Sequence, residues 1–106
     1  MSRSDEELAR DALDHIGRLK GHLGRADLDD ETVVDAVSLR LSAAIEAVSG
    51  TTPEFRDRIF GDDWKIIWAT RNRIAHGYAY IDLSIIRSTV EQDLPGFEQK
   101  LRDSIQ

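Results

Sequence analysis

The sequence predicts an all-α protein, an up-and-down four-helix bundle with additional short helices. Three observations lead there. Apolar residues recur at three- and four-residue spacing almost throughout, the interval that lines one face of a helix. Glycine and proline are few, seven and two among 106 residues, and β-branched alternation is nearly absent. The stretches between periodic segments are short, which makes neighbouring helices antiparallel.

The first helix is expected from Asp5 to Leu23. Ser4 with Glu7 three positions on is a capping-box pattern, and Leu8, Ala12, Ile16, Leu19 and Leu23 form one stripe. Gly24 ends it, and a polar loop follows to Asp30. The second helix is expected from Glu31 to Ser49, with Val34, Val37, Leu41, Ala44, Ile45 and Val48 inward and Gly50 as its stop. Thr52-Pro53 opens a short helix to about Ile59, since proline suits a first turn. Gly61-Asp62-Asp63 breaks the chain, and one of the two aspartates caps a helix from Trp64 to about His76. A further segment runs from Leu83 to Asp93, burying Ile85, Ile86, Thr89 and Val90. Pro95 is expected to break or kink it. Phe97, Leu101 and Ile105 carry a last helix to the C-terminus. With no long linker, repeat or low-complexity tract, residues 1–106 read as one domain.

Composition narrows the function classes. There are no cysteines, so disulfides and thiolate metal sites are excluded. The three histidines, His15, His22 and His76, lack a metal-site spacing. No apolar run approaches the ~20 residues that span a bilayer. The acidic N-terminus MSRSDEELAR is unlike a signal peptide, so a cytoplasmic protein without membrane attachment is expected. The net charge is −6, and the sequence pI is about 4.9. Proteins that hold nucleic acid by bulk electrostatics are usually basic, so any RNA contact here must rest on a local cationic cluster.

One such cluster ends the helix that begins at Trp64. Trp64, Ile67, Trp68, Arg71, Ile74, Ala75 and Tyr78 fall on one helical face, so Arg71 takes a slot where an apolar residue is expected. It must snorkel, pair with an acid such as Glu46, or face a cleft or partner. Asn72 and His76 are four apart on an adjacent face, and Arg73 lies three before His76. Two guanidiniums, an amide, an imidazole and a phenol thus crowd into eight residues. The set suits RNA cleavage without a metal. Histidine serves as base or acid near neutral pH, and arginine grips phosphate through its planar fork. Each residue also has a plainer reading: Arg71 as a buried ion pair, His76 as a helix C-terminal cap, Tyr78 as a core residue. Arg40, Lys65 and Arg87 either extend a positive cleft or are solvated surface.

The stretch Trp64-Lys-Ile-Ile-Trp-Ala-Thr-Arg71-Asn72-Arg73-Ile-Ala-His76-Gly77-Tyr78, followed by Ile81-Asp82, resembles the signature of the HepT toxins, which are HEPN proteins. Leu41-Ser-Ala-Ala-Ile45-Glu46-Ala47 and Asp93-Leu94-Pro95 also fall where that family has similar residues, so the likeness spans nearly the whole chain. It departs at Ile45, where the family commonly has glycine. The resemblance implies a HEPN-like helical bundle that forms a homodimer, with paired Arg and His motifs facing a shared cleft. It implies a metal-independent endoribonuclease acting on messenger or transfer RNA, with no cofactor of its own. It implies the toxin of a type II/VII-like toxin–antitoxin pair, whose partner is a minimal nucleotidyltransferase antitoxin that modifies the motif tyrosine with AMP. By position, Arg71 and His76 would be catalytic, Tyr78 the AMP acceptor, and Asn72 and Arg73 supporting residues. The alternatives are a non-catalytic HEPN dimer that binds a nucleotidyltransferase, and a structural helical adaptor.

Overall fold

The structure, a computed structural model, describes residues 3–75 and 82–105. All secondary structure among them is helical: α1 (Asp5–Leu23), α2 (Glu31–Ser49), α3 (Pro53–Phe60), α4 (Asp63–Ala75), α5 (Leu83–Ser88), a π-helical turn (Thr89–Asp93) and α6 (Leu94–Ser104). The expected all-α fold is borne out, four long helical units with a short α3 between the second and third.

Local chemistry starts four of the helices as expected, whereas α4 begins at Asp63 with no capping bond from Asp62 or Asp63 among the described residues. The Ser4, Asp30 and Thr52 side chains accept from Glu7, Val33 and Phe55 N–H, so three N-termini are capped. Asp82 does the same for α5, accepting from the Ser84 N–H and hydroxyl at 3.0 and 2.6 Å. Those bonds, with the backbone N–H donors of the first turn and the nearby charge of Arg73, hold the Asp82 carboxyl below its usual range. Gly61, after α3, sits at φ 55°, a conformation that side chains resist.

α1 and α2 form an antiparallel pair. The Asp5 carboxylate, at the start of α1, accepts from both the N–H and the hydroxyl of Thr52, just past α2, each at 2.8 Å. Midway along the pair, Arg40 Nη1 lies 3.2 Å from His15 Nδ1. Between them Ala9, Ala12, Ile16 and Leu19 meet Val33, Val37, Leu41, Ala44 and Val48, all buried. α4 packs on α2, α6 on α1, and α3 against both α4 and α6. The aromatic side of the core is a run of rings: Phe97 stacks on Phe60 at 5.3 Å, and Phe60, Trp64 and Trp68 follow at 6.2 and 5.9 Å.

Pro95 leaves the C-terminal run helical. Proline has no N–H to donate, and its ring collides with the carbonyl four residues back. The chain widens into the π turn just before it, where Leu94 N–H reaches Thr89 O, five residues back. The helix thus resumes with Pro95 in the first turn of α6, the place proline tolerates best.

Glu98 is the acidic side chain built most deeply into this frame, with its carboxylate about 10% exposed. Burial works against its charge, but Lys20 and Arg102 Nη2 (2.8 Å) both bond it, and the balance lowers its pKa. The folded protein therefore holds fewer protons on Glu98 than the unfolded chain does. Its contribution is full above the ordinary carboxylate range and is lost as pH falls through the lowered value. Wild type should thus lose stability between about pH 5 and pH 3 more steeply than Glu98→Gln, and exceed it by about 1 kcal/mol at pH 7. Urea titrations across that range measure both.

Candidate functional site

α4 carries the candidate residues because of its sequence spacing. Trp64, Ile67, Trp68 and Ile74 turn toward the core, and Arg71 shares their side of the helix. No residue of α4 is fully buried, although it holds two tryptophans and three isoleucines. The helix packs on α2 without any residue being enclosed, and so leaves its polar residues within reach of solvent.

The Arg71 side chain is 17% exposed and is held on three sides. Nη2 pairs with Glu46 Oε2 of α2 at 3.2 Å. Nη1 donates to Asn72 Oδ1 at 3.1 Å. The guanidinium Cζ lies over the Trp68 ring, 4.8 Å from the centroid. Nε is shielded from solvent and finds no acceptor among the described residues. An arginine fixed in this way has little rotamer freedom left to lose when it grips an anion. Asn72 therefore acts on Arg71, its neighbour in sequence.

Arg73 stands apart from this group. It is exposed on the outer side of α4, beside Ile74, Asp82, Ile85 and Ile86 around a small recess. Lys65, Ala69 and Arg73 are exposed at four-residue intervals, so the outer face of α4 carries two solvated cations. The other basic residues named from the sequence are held elsewhere. Arg87 pairs with Asp29 and Glu91, and Arg40 with His15. His76, Gly77, Tyr78 and Ile81 lie outside the described residues.

Beside the Arg71 group runs an apolar groove of about 340 Å³ between α2, α4 and the C-terminal run. Leu41 and Ile45 of α2, Ile66 and Ile67 of α4, and Phe97 of α6 line it, with Lys100 near Asp63 at 3.5 Å at its rim. Ile66, at its edge, is 67% exposed. The isoleucine at position 45, where the resembled family has glycine, is buried here and forms part of the groove wall.

Two signals in this arrangement escape a reading of the sequence. Trp68 is three residues before Arg71, a spacing that reads as ordinary core stripe, yet the ring serves as a platform for the cation. The groove joins residues some fifty positions apart, and no local pattern marks it.

An all-α bundle that pins an arginine against α2, on the helix leading into an Arg-x4-His stretch, is of the HEPN-like class. The family model described as Ribonuclease HepT-like matches residues 9–104, and the chain belongs to the HepT-like ribonuclease family. It is 28% identical over 91 residues, covering 86% of this chain and 81% of the other, to a protein of Caldanaerobacter subterraneus subsp. tengcongensis named "Putative RNase TTE0752". No solved structure matches the chain.

The surroundings of Arg71 separate packing from charge. Arg71→Met keeps most of the stem's volume against Trp68 and is expected to change unfolding free energy by less than about 1 kcal/mol. Arg71→Ala empties that space and should cost about 1–2 kcal/mol. Urea titrations followed by tryptophan fluorescence measure both, and a Met variant as destabilised as the Ala variant would show that the ion pair, not the packing, dominates.

Proposed function

We propose that this protein is a metal-independent HEPN endoribonuclease, the toxin of a two-component pair, acting as a homodimer on messenger or transfer RNA. The observation that carries this reading is the Arg71 guanidinium, recessed, seated over Trp68, paired with Glu46 and bonded to Asn72, five residues before His76, in a chain of the HepT-like ribonuclease family. In the reaction a base removes the proton of a ribose 2′-hydroxyl. The 2′-oxygen attacks the adjacent phosphorus, the bond to the 5′-oxygen breaks, and an acid protonates that oxygen. His76 is assigned the proton transfers, and Arg71 the charge that develops on the phosphoryl oxygens. The exposed Lys65 and Arg73 offer local cations for the RNA backbone on a chain whose overall charge is acidic.

One copy supplies one histidine of this motif, whereas cleavage needs a base and an acid, so a second copy completes the set. The underburied α4, exposed Ile66 and the adjoining groove support a two-fold contact there. Exposed Ile66 and the groove adjoin on one surface, so the patch can be self-complementary, as an isologous interface requires. Ile66→Glu places a charge in that contact and is expected to give monomers in sedimentation equilibrium where wild type is dimeric. A dimer that persists unchanged would move the interface elsewhere.

The partner in this reading is a minimal nucleotidyltransferase antitoxin that places AMP on Tyr78. The added phosphodiester anion and base would compete with RNA phosphate for Arg71. His76→Ala and Arg71→Met should abolish both RNA cleavage and growth arrest while circular dichroism stays unchanged. Cleavage by wild type should persist in chelator. Wild-type protein that is free of AMP by mass spectrometry, binds the nucleotidyltransferase and yet cleaves no RNA would instead establish the non-catalytic binding partner.

A further inference from the structure

Within the Arg71–Glu46 pair, the guanidinium is recessed and the carboxylate faces solvent, 17% against 63% exposed. A phosphate that approaches Arg71 therefore meets a group of its own charge already seated on Nη2. The seat is incomplete. Arginine offers a two-donor edge, Nε with Nη2, which matches two oxygens of one phosphate. Glu46 is ion-paired with Nη2 alone, and Nε is left without an acceptor among the described residues. The Ser42 hydroxyl, one turn earlier on the same stripe of α2, is likewise shielded and without a partner among them.

The strength of the pair allows exchange. An ion pair with one partner this exposed contributes only about 0–1 kcal/mol, and a glutamate held in one rotamer gives up entropy to stay there. A phosphate that fills both Nη2 and Nε replaces one ion-pair contact with two charged hydrogen bonds and releases the glutamate to water. Asn72 and Trp68 continue to hold the guanidinium in place during that exchange, since neither uses the Nε–Nη2 edge.

We propose that Glu46 is a gating residue: its carboxylate occupies the phosphate edge of Arg71 in the free protein and is displaced by the RNA backbone. The proposal rests on the reading of Arg71 as the phosphate-binding cation. It assigns to α2 a role in substrate entry, and it makes an isolated small anion a poorer competitor than a strand whose neighbouring phosphates are held by other cations at the same time.

The test is binding of a short, fluorescently labelled 2′-O-methyl oligoribonucleotide, which lacks the nucleophile and so is not cleaved. Its dissociation constant is read by anisotropy at low salt for wild type, Glu46→Gln, Arg71→Met and the double variant. Removing a like charge a few ångströms from the bound phosphate should tighten binding by Glu46→Gln about three- to tenfold. That gain should vanish when Arg71 is replaced. Unchanged or weaker binding by Glu46→Gln, an equal gain in the Arg71→Met background, or no binding by any variant would each overturn the gate. Cleavage of the unmodified RNA is assayed separately. Its absence, beside the expected binding pattern, would sink the ribonuclease reading and leave the gate standing.

Discussion

The packing of α1 along α2 is the constraint on which the other elements rest. Two nineteen-residue helices meet through alanines at positions 9, 12 and 44, with the larger Ile16, Leu19, Val37, Leu41 and Val48 between them. The small residues let the backbones approach, and the branched ones fill the remaining volume. Asp5 closes the open end of the pair by accepting two bonds from Thr52. Because Thr52 also caps α3, that carboxylate orients the following helix as well. From there the chain enters α4 with its direction already set. The positions of Trp64, Trp68 and Arg71 against α2 thus follow from a contact made between the first and second helices.

α4 is the element in which burial is incomplete, and the reason lies in its position. Packed on α2, the helix presses its tryptophans onto the core's edge without being enclosed. The cost is apolar surface left in water at Ile66 and along the groove. The gain is a guanidinium sheltered enough to be rigid and open enough to meet an anion. Arg71 in a closed core would need a permanent counter-charge, and in full solvent it would be a floppy cation. Its stacking on Trp68 and its bond to Asn72 come from its own helix, whereas Glu46 comes from another. The carboxylate that faces this guanidinium is therefore set by α2 and its other contacts by α4.

Much of the fold is legible in the sequence because its signals are local. Ser4, Asp30, Thr52 and Asp82 each cap the helix that follows through bonds to residues two or three positions away. Most of the stripe on α1 and α2 reads directly as the buried face, although Ala9 and Val33 are buried where Leu8 and Val34 are expected, and Leu8, Leu23 and Val34 are half-buried. The response to Pro95 is less legible. Sequence rules place a break or kink there, and the chain instead keeps its helix by adding a π turn, because Leu94 and Phe97 are buried and must stay on the core side. At the site, the odd placement of Arg71 is visible from spacing, and Glu46 is nameable as an acid within reach. The divergence of Arg73 from Arg71 follows from two residues of separation on a helix, which turns side chains to nearly opposite sides.

By itself the sequence determined an all-α bundle, its helix starts, an arginine out of place on an apolar stripe and membership of the HepT-like ribonuclease family. These depend on interactions a few residues long, or on a pattern that survives in order along the chain. Only the tertiary structure decided which carboxylate holds Arg71, which ring it rests on, and that an apolar groove opens beside it. Those features are set by how α4 crosses α2, a geometry fixed by volumes packed between distant segments. Such packing depends on the sum of many side chains, none of which specifies it alone.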